Sequence, residues 1–153
     1  MSAPDLTFSS DLSTLDWPRI TEWLAGSYWS PGISQFYVEQ AARASTVVIG
    51  AFIDGVQVGY ARVMSDTVRF AYLADVYVDE AYRARGISKH MIARLLSEPI
   101  LKHVSRCFLQ TGDAHGLYEQ FGFQVHPAPE RVMVRENPNG FDFTKTPNEP
   151  SAR

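Results

Sequence analysis

Leu73-Ala-Asp-Val-Tyr-Val-Asp-Glu-Ala-Tyr-Arg-Ala-Arg-Gly-Ile-Ser88 holds, in sixteen residues, a strand, a turn with Arg83, Arg85 and Gly86, and the start of a helix. At such a turn successive backbone N–H groups point outward, and the helix dipole adds partial positive charge, so the segment reads as an anion site. The dipole alone contributes only about 0.3–1 kcal/mol at an exposed site, so several amide hydrogen bonds must hold the ligand. Gly86 lets the backbone approach a phosphate, and the small Ser88 leaves the approach open.

Working toward the N-terminus, Val68 to Val78 reads as one strand. Thr46 to Ile53 and Val56 to Met64 form a hairpin around Asp54-Gly55, a dipeptide suited to the φ > 0 positions of a tight turn. Leu6-Thr7-Phe8 is a further strand candidate. Asp16 caps a helix that has Pro18 in its first turn and Ile20, Trp23 and Leu24 at helical spacing, and a second short helix starts near Ser34. Working toward the C-terminus, the period changes after Gly86: Ile87, His90, Met91, Arg94, Leu95 and Leu96 read as a helix ending near Pro99. Val104 to Leu109 is a strand, and Asp113 is a candidate cap for a helix through Tyr118 and Phe121 that stops at Gly122. Two closing strands are expected near Phe123–His126 and Arg131–Arg135. The strand–helix–strand order around Gly86 implies a parallel crossover in a mostly antiparallel sheet. One domain is expected over residues 1–136, with a Pro/Asn-rich tail over 137–153 in which Phe141 and Phe143 are candidates to dock.

The chain has 153 residues, 45% of them hydrophobic, enough for the core of one globular domain. A net charge of -3 gives no general basic field for nucleic acid or an anionic membrane. Cys107 is the sole cysteine; it reads as a reduced thiol packed in a strand rather than a nucleophile, and no intramolecular disulfide can form. Met1 to Ser10 lacks the basic flank and apolar run of a signal peptide, so a cytoplasmic location is expected. His90, His103 and His126 have no partners at metal-ligand spacing, so no metal is expected.

A second element follows at the right distance: Thr111-Gly-Asp-Ala-His-Gly-Leu-Tyr118-Glu-Gln-Phe-Gly122-Phe. Together the two segments resemble the GNAT family of N-acetyltransferases. Arg83, Gly86 and, loosely, Ser88 match its pyrophosphate loop, Gln/Arg-x-x-Gly-x-Gly/Ala. Leu117, Tyr118, Gly122 and Phe123 match its Leu-Tyr-x-x-x-Gly-Phe helix, and the resemblance spans residues 46 to 126. It implies an α/β fold with a mixed, mostly antiparallel twisted sheet of about six to seven strands, about four helices and splayed central strands. It implies acetyl-CoA as co-substrate, with the backbone of Val76, Tyr77 and Val78 pairing with the pantetheine arm. The amides of Arg83, Ala84, Arg85, Gly86, Ile87 and Ser88 should then hold the pyrophosphate. Ala84 and Ser88 depart from the commoner small residues, and Thr111 stands where many members carry a cofactor-holding Asn.

The implied reaction is direct attack of a neutral amine on a thioester. Tyr118 matches the family's general acid, and with an ordinary pKa near ~10 it is protonated at neutral pH and can donate to the departing thiolate. The base is open. Asp75 is the nearby carboxylate, but regular alternation would put it with Leu73 and Tyr77, opposite the face of Tyr72, Ala74 and Val76. A bulge would re-aim it; a hydrogen-bonded structural Asp is the competing reading. His115, three residues before Tyr118, reads as a local capping or surface residue. A water chain, or an acceptor of low pKa, would need neither.

The family's acceptor lies near the first two helices, here Trp23 to Tyr37. Tyr28, Trp29 and, from the strand, Tyr72 are therefore candidate substrate-binding residues. These aromatics suit a cage for a cationic or apolar acceptor, but equally core or a homodimer contact. The expected activity is N-acetyl transfer to a small-molecule amine; the alternatives are a larger acyl group or a non-catalytic acyl-CoA-binding module. No docking tail or basic face points to nucleic acid.

Overall fold

The computed structural model describes residues 5–147; residues 1–4 and the tail's last six, 148–153, lie outside it. The described residues fall into two compact units, one of 5–109 with 143–147 and one of Gln110–Asp142.

The first unit holds a five-stranded sheet in the order β1(Leu6–Ser9), β2(Val47–Ile53), β3(Val56–Ser65), β4(Phe70–Val78) and β5(Arg106–Phe108). The first four strands pair antiparallel, and β5 joins β4 in parallel. Asp54 and Gly55 at the β2–β3 turn sit at φ 51° and 78°, as a two-residue hairpin matched to strand twist requires. The strand expected from Val68 begins instead at Phe70. Asp66 Oδ1 accepts the amides of Val68 (2.9 Å), Arg69 (2.8 Å) and Phe70 (3.1 Å), winding that stretch into a turn.

α1(Trp17–Ala25) starts where Asp16 Oδ1 accepts the Arg19 amide at 3.1 Å, with Pro18 in its first turn. α2(Gln35–Arg43) follows Ser34. Their apolar faces, Ile20, Trp23 and Leu24 with Val38 and Ala42, form one core with Leu15, Val48 and Tyr60. α3(Ile87–Leu96) packs across β2, β3 and β4 through buried Ile87, Met91, Ile92 and Leu95. Each such fully buried aliphatic side chain contributes about 1.5–3 kcal/mol. Phe143 also docks here: its carbonyl accepts the Ser34 amide at 2.7 Å, and its ring meets Tyr37 edge-on at 5.8 Å.

The second unit contains α4(His115–Glu119) and no strand among its described residues. The two closing strands expected at Phe123–His126 and Arg131–Arg135 are therefore absent. The first stretch is irregular, and Pro129–Arg131 winds into a 3-10 turn that consumes the start of the second. Pro127 and Pro129 lie in the connection between the two stretches, and Pro129 opens the 3-10 turn. Among the described residues no helix is long and apolar enough to cross a membrane.

At Gly50 the sheet and the α1 side meet closely: a Cβ there would lie 2.6 Å from Leu15 Cδ2 and 3.1 Å from Phe52 Cε2. Gly50→Ala is expected to lower stability by about 1–3 kcal/mol through overpacking, measured by urea denaturation.

Candidate functional site

The turn between β4 and α3 supplies the first part of the site. Asp79 starts it: Oδ1 accepts the Ala81 amide at 2.9 Å, while Oδ2 accepts the Arg19 guanidinium and the Trp23 indole N–H, both at 3.1 Å. Arg83 Nε turns back to the Val78 carbonyl at 2.9 Å and its guanidinium lies over the Tyr77 ring at 5.1 Å. Tyr77 in turn stacks on Trp23 at 5.5 Å. Beyond Arg83 the backbone takes left-handed conformations at Ala84 (φ 64°) and Gly86 (φ 76°). For alanine that costs roughly 1–2 kcal/mol. The first helical bond of α3 comes from the His90 amide to the Gly86 carbonyl, at 3.1 Å. The six amides from Ala84 to Lys89 have no acceptor among the described residues. Orphan amides at a helix start, with left-handed residues among them, are the arrangement from which concave anion sites are built. Arg83 is thus an anchor of the turn. Arg94 lies over Phe8 at 4.8 Å.

The open seam of the sheet supplies the second part. β5 meets β4 only at Phe70–Arg106, Ala71–Cys107 and Tyr72–Phe108. From Leu73 to Val78 the outer edge of β4 has no strand beside it among the described residues. The half-buried run from Ala74 to Tyr77 lies along this edge.

A bulge in the same stretch re-aims Asp75. Arg62 stands opposite Ala74 and Tyr60 opposite Tyr77, so Asp75 and Val76 together face Ala61. Asp75 takes φ 56°, and the extra residue reverses the alternation. The expectation that Asp75 shares a face with Leu73 is thereby corrected. Its Oδ2 accepts Arg62 Nε at 2.7 Å, and its Oδ1 accepts the indole N–H of Trp29, in the α1–α2 loop, at 2.9 Å. Trp29 is 43% exposed and meets Tyr28, 63% exposed, edge-on at 5.0 Å. Tyr72 is half-buried, opposite Met64. Tyr60 is fully buried with no partner for its hydroxyl; burial pushes its pKa up, with Arg62 opposing and Asp75 adding to the shift. The Cys107 thiol is pushed up to about 11 by burial, so it is protonated at neutral pH.

In the second unit, Tyr118 on α4 is buried and its ring meets Phe123 edge-on at 5.9 Å. Gly122 at φ 86° follows the helix. Asp113 does not cap α4 as expected. The Thr111 hydroxyl instead accepts the Ala114 amide at 3.0 Å, and Ala114 is the capping residue. His115 is exposed. His126 Nδ1 accepts the Ala128 amide at 3.0 Å.

An open strand edge leading to an amide-lined turn defines a class of α/β protein suited to an extended ligand that carries phosphate. The profile of the acetyltransferase (GNAT) family matches residues 12–123. A protein from Xanthomonas campestris pv. campestris, described as a GNAT-family acetyltransferase, is 38% identical, with a TM-score of 0.83 over 90% of this chain and 96% of that one. The chain belongs to the GNAT family, a family of acyltransferases. Two more distant structures share the fold, each at 16% identity. One is an acetyltransferase with acetyl-CoA from Clostridium acetobutylicum, with a TM-score of 0.63 over 87% of this chain and 96% of that one. The other is an aminoglycoside N-acetyltransferase in complex with CoA, with a TM-score of 0.68 over 90% and 97%. No curated protein sequence matches.

Sequence reasoning passed over Arg62, Arg19 and Asp79. A lone cation among the apolar residues of β3 was the available signal for Arg62, but its partner depends on a bulge that only pairing reveals. Arg62→Leu is expected to cost about 3 kcal/mol, because it leaves the largely buried Asp75 carboxylate without its counter-charge; thermal or urea unfolding reads this out. For Cys107 the unfolded thiol ionises near ~8.5 and the folded one at about 11, so the native state keeps its proton longer. Its contribution to stability is therefore complete below the lower value and is lost as pH rises through the interval. Alkylation of the native protein should accelerate only toward pH 11, whereas the denatured chain reacts at its ordinary pH.

Proposed function

We propose that this chain moves an acetyl group from acetyl-CoA to the primary amine of a small molecule, in the cytoplasm, by direct attack of the amine on the thioester. The observation that carries the reading is the free edge of β4 running into six amides without acceptors. Both features fit the coenzyme: a strand edge for an amide-containing arm, and a concave amide cluster for a pyrophosphate. Val76, Tyr77 and Val78 would hold the arm through their backbone, and the amides from Ala84 to Ser88 the pyrophosphate. Arg83 keeps that turn in place through its bond to Val78. Thr111 Oγ1 accepts the Ala114 amide, and its hydroxyl proton would remain to donate to the coenzyme.

Acetyl-CoA supplies the acyl group already activated as a thioester. The protein then needs to orient an amine, let it lose a proton and protonate the thiolate that leaves. The half-buried Cys107 thiol, pushed up to about 11, is protonated at neutral pH and so a poor acyl acceptor, which favours direct attack over a relay through it. Tyr118 is the proton donor in this reading. Asp75 has both carboxylate oxygens engaged, by Arg62 and Trp29. That removes it as a free base; its remaining lone pairs would align the acceptor's amine beside Tyr28, Trp29 and Tyr72, with deprotonation left to water. A lysine-like amine has a pKa of about 10.4, so the rate should climb with pH until the acceptor is neutral.

Tyr118→Phe is the decisive variant. It is expected to lower kcat by about 10²–10⁴-fold while leaving the acetyl-CoA dissociation constant unchanged by calorimetry. Asp75→Asn should raise KM for the amine more than it lowers kcat. Full turnover in Tyr118→Phe would exclude the proposed acid. Absence of acetyl-CoA binding to the unaltered protein would exclude the enzyme reading altogether.

A further inference from the structure

The two faces of the sheet differ in what covers them. On one, Gly59 of β3 meets α3 so closely that a Cβ would lie 2.8 Å from the Met91 sulfur. Val63 and its partner Leu73 share that face and are buried. Met64 and its partner Tyr72 therefore take the opposite face, together with Arg62, whose Nη1 lies 2.9 Å from Met64 Sδ. Here α1 and α2 form the core around Tyr60, and α1 reaches Tyr77 through Trp23. Toward the start of β4 the cover thins: Tyr72 is half-buried and Phe70 is 44% exposed. β5 adds the half-buried Phe108 beside Tyr72 and the exposed Arg106 beside Phe70. An apolar strip of Met64, Tyr72, Phe108 and Phe70 thus runs away from the Asp75 carboxylate and finishes at a cation.

The charges at its ends differ in kind. Asp75 accepts from Arg62 and Trp29 and keeps lone pairs for an amine. Arg106 forms no ion pair among the described residues. The acid nearest Phe70 in sequence, Asp66, holds three turn amides on Oδ1 and has Arg69 beside it. Resting on the acetyl-transfer reading above, we propose that the acceptor is a monoamine with an aromatic or alkyl tail. Its nitrogen sits at Asp75, its tail lies on the strip, and diamines and polyamines are selected against. Asp75 and Tyr72 are about 10 Å apart along the strand, a span that an arylalkyl chain covers. A second ammonium at the end of such a tail would lose water over apolar side chains and approach Arg106, both unfavourable. In the transfer the amine nitrogen forms the C–N bond as the thioester C–S bond breaks. The nitrogen gives up a proton and the coenzyme thiolate gains one.

Three acceptors with one four-carbon chain test this: butylamine, 4-phenylbutylamine and 1,4-diaminobutane, ending in hydrogen, phenyl and ammonium. With acetyl-CoA and the full chain, kcat/KM for 4-phenylbutylamine should exceed that for butylamine by about tenfold to a hundredfold. That for 1,4-diaminobutane should fall about tenfold or more below butylamine. Phe70→Ser should shrink the phenyl preference about fivefold or more, and Arg106→Glu should raise the diamine-to-butylamine ratio about tenfold. A ratio of two acceptors on one preparation does not depend on how much of a variant is folded. Equal turnover of all three, a preference for the diamine, or ratios unmoved by both variants would overturn the proposal and leave the transfer reading standing. So would no turnover of any of the three by a protein that binds acetyl-CoA in calorimetry. A protein that binds no acetyl-CoA would overturn the transfer reading itself, and the proposal with it.

Discussion

The ion pair between Arg62 on β3 and Asp75 on β4, 2.7 Å long and largely buried, holds one extra residue in the sheet, and the site is arranged around that residue. A left-handed aspartate in mid-strand is a strained conformation, costing about 1–3 kcal/mol, and it persists only where its surroundings over-determine it. Here the carboxylate is bound on both oxygens, from below by the strand neighbour and from the side by the Trp29 indole. Without the bulge, Tyr77 would fall on the α3 side with Leu73. With it, Tyr77 turns onto Trp23 of α1, and the α1–α2 loop gains a fixed point on β4.

That parity change propagates into the turn that follows. Arg19, Trp23, Tyr77 and Arg83 form a column of cation and ring faces, with Asp79 binding its first two members and the start of the turn. Arg83 closes the column on the Val78 carbonyl. The turn is therefore held by side chains, with none of its amides from Ala84 to Lys89 engaged among the described residues. A polar backbone group normally finds a partner when folding removes it from water. Six consecutive amides without an acceptor among the described residues, next to a strand edge that is also unpaired, leave an unusual number of backbone groups open to a ligand.

Much of the architecture was legible because its signals are local. The Asp54-Gly55 hairpin, the Asp16 cap with Pro18, the helix after Gly86 and the parallel crossover each follow from a few adjacent residues and from the period of the apolar ones. The family resemblance likewise rests on short spacings around Gly86 and Tyr118. The two closing strands are not legible in the same way, because alternating Val and Met signals a strand without saying whether a partner lies within reach. The motif marks Thr111 only as a ligand contact, yet its hydroxyl oxygen also accepts the Ala114 amide at the start of α4.

Asp75 marks the boundary between the two kinds of information. The sequence by itself determined the order of elements, the amide-rich turn and the presence of a carboxylate in β4, since these depend on neighbours along the chain. Which way that carboxylate points was decided only by tertiary structure. A bulge is a property of two strands, set by the register of Tyr60 and Arg62 against Ala74 and Tyr77 and stabilised by an indole from a loop 46 residues away. Alternation along one strand contains no record of the strand beside it.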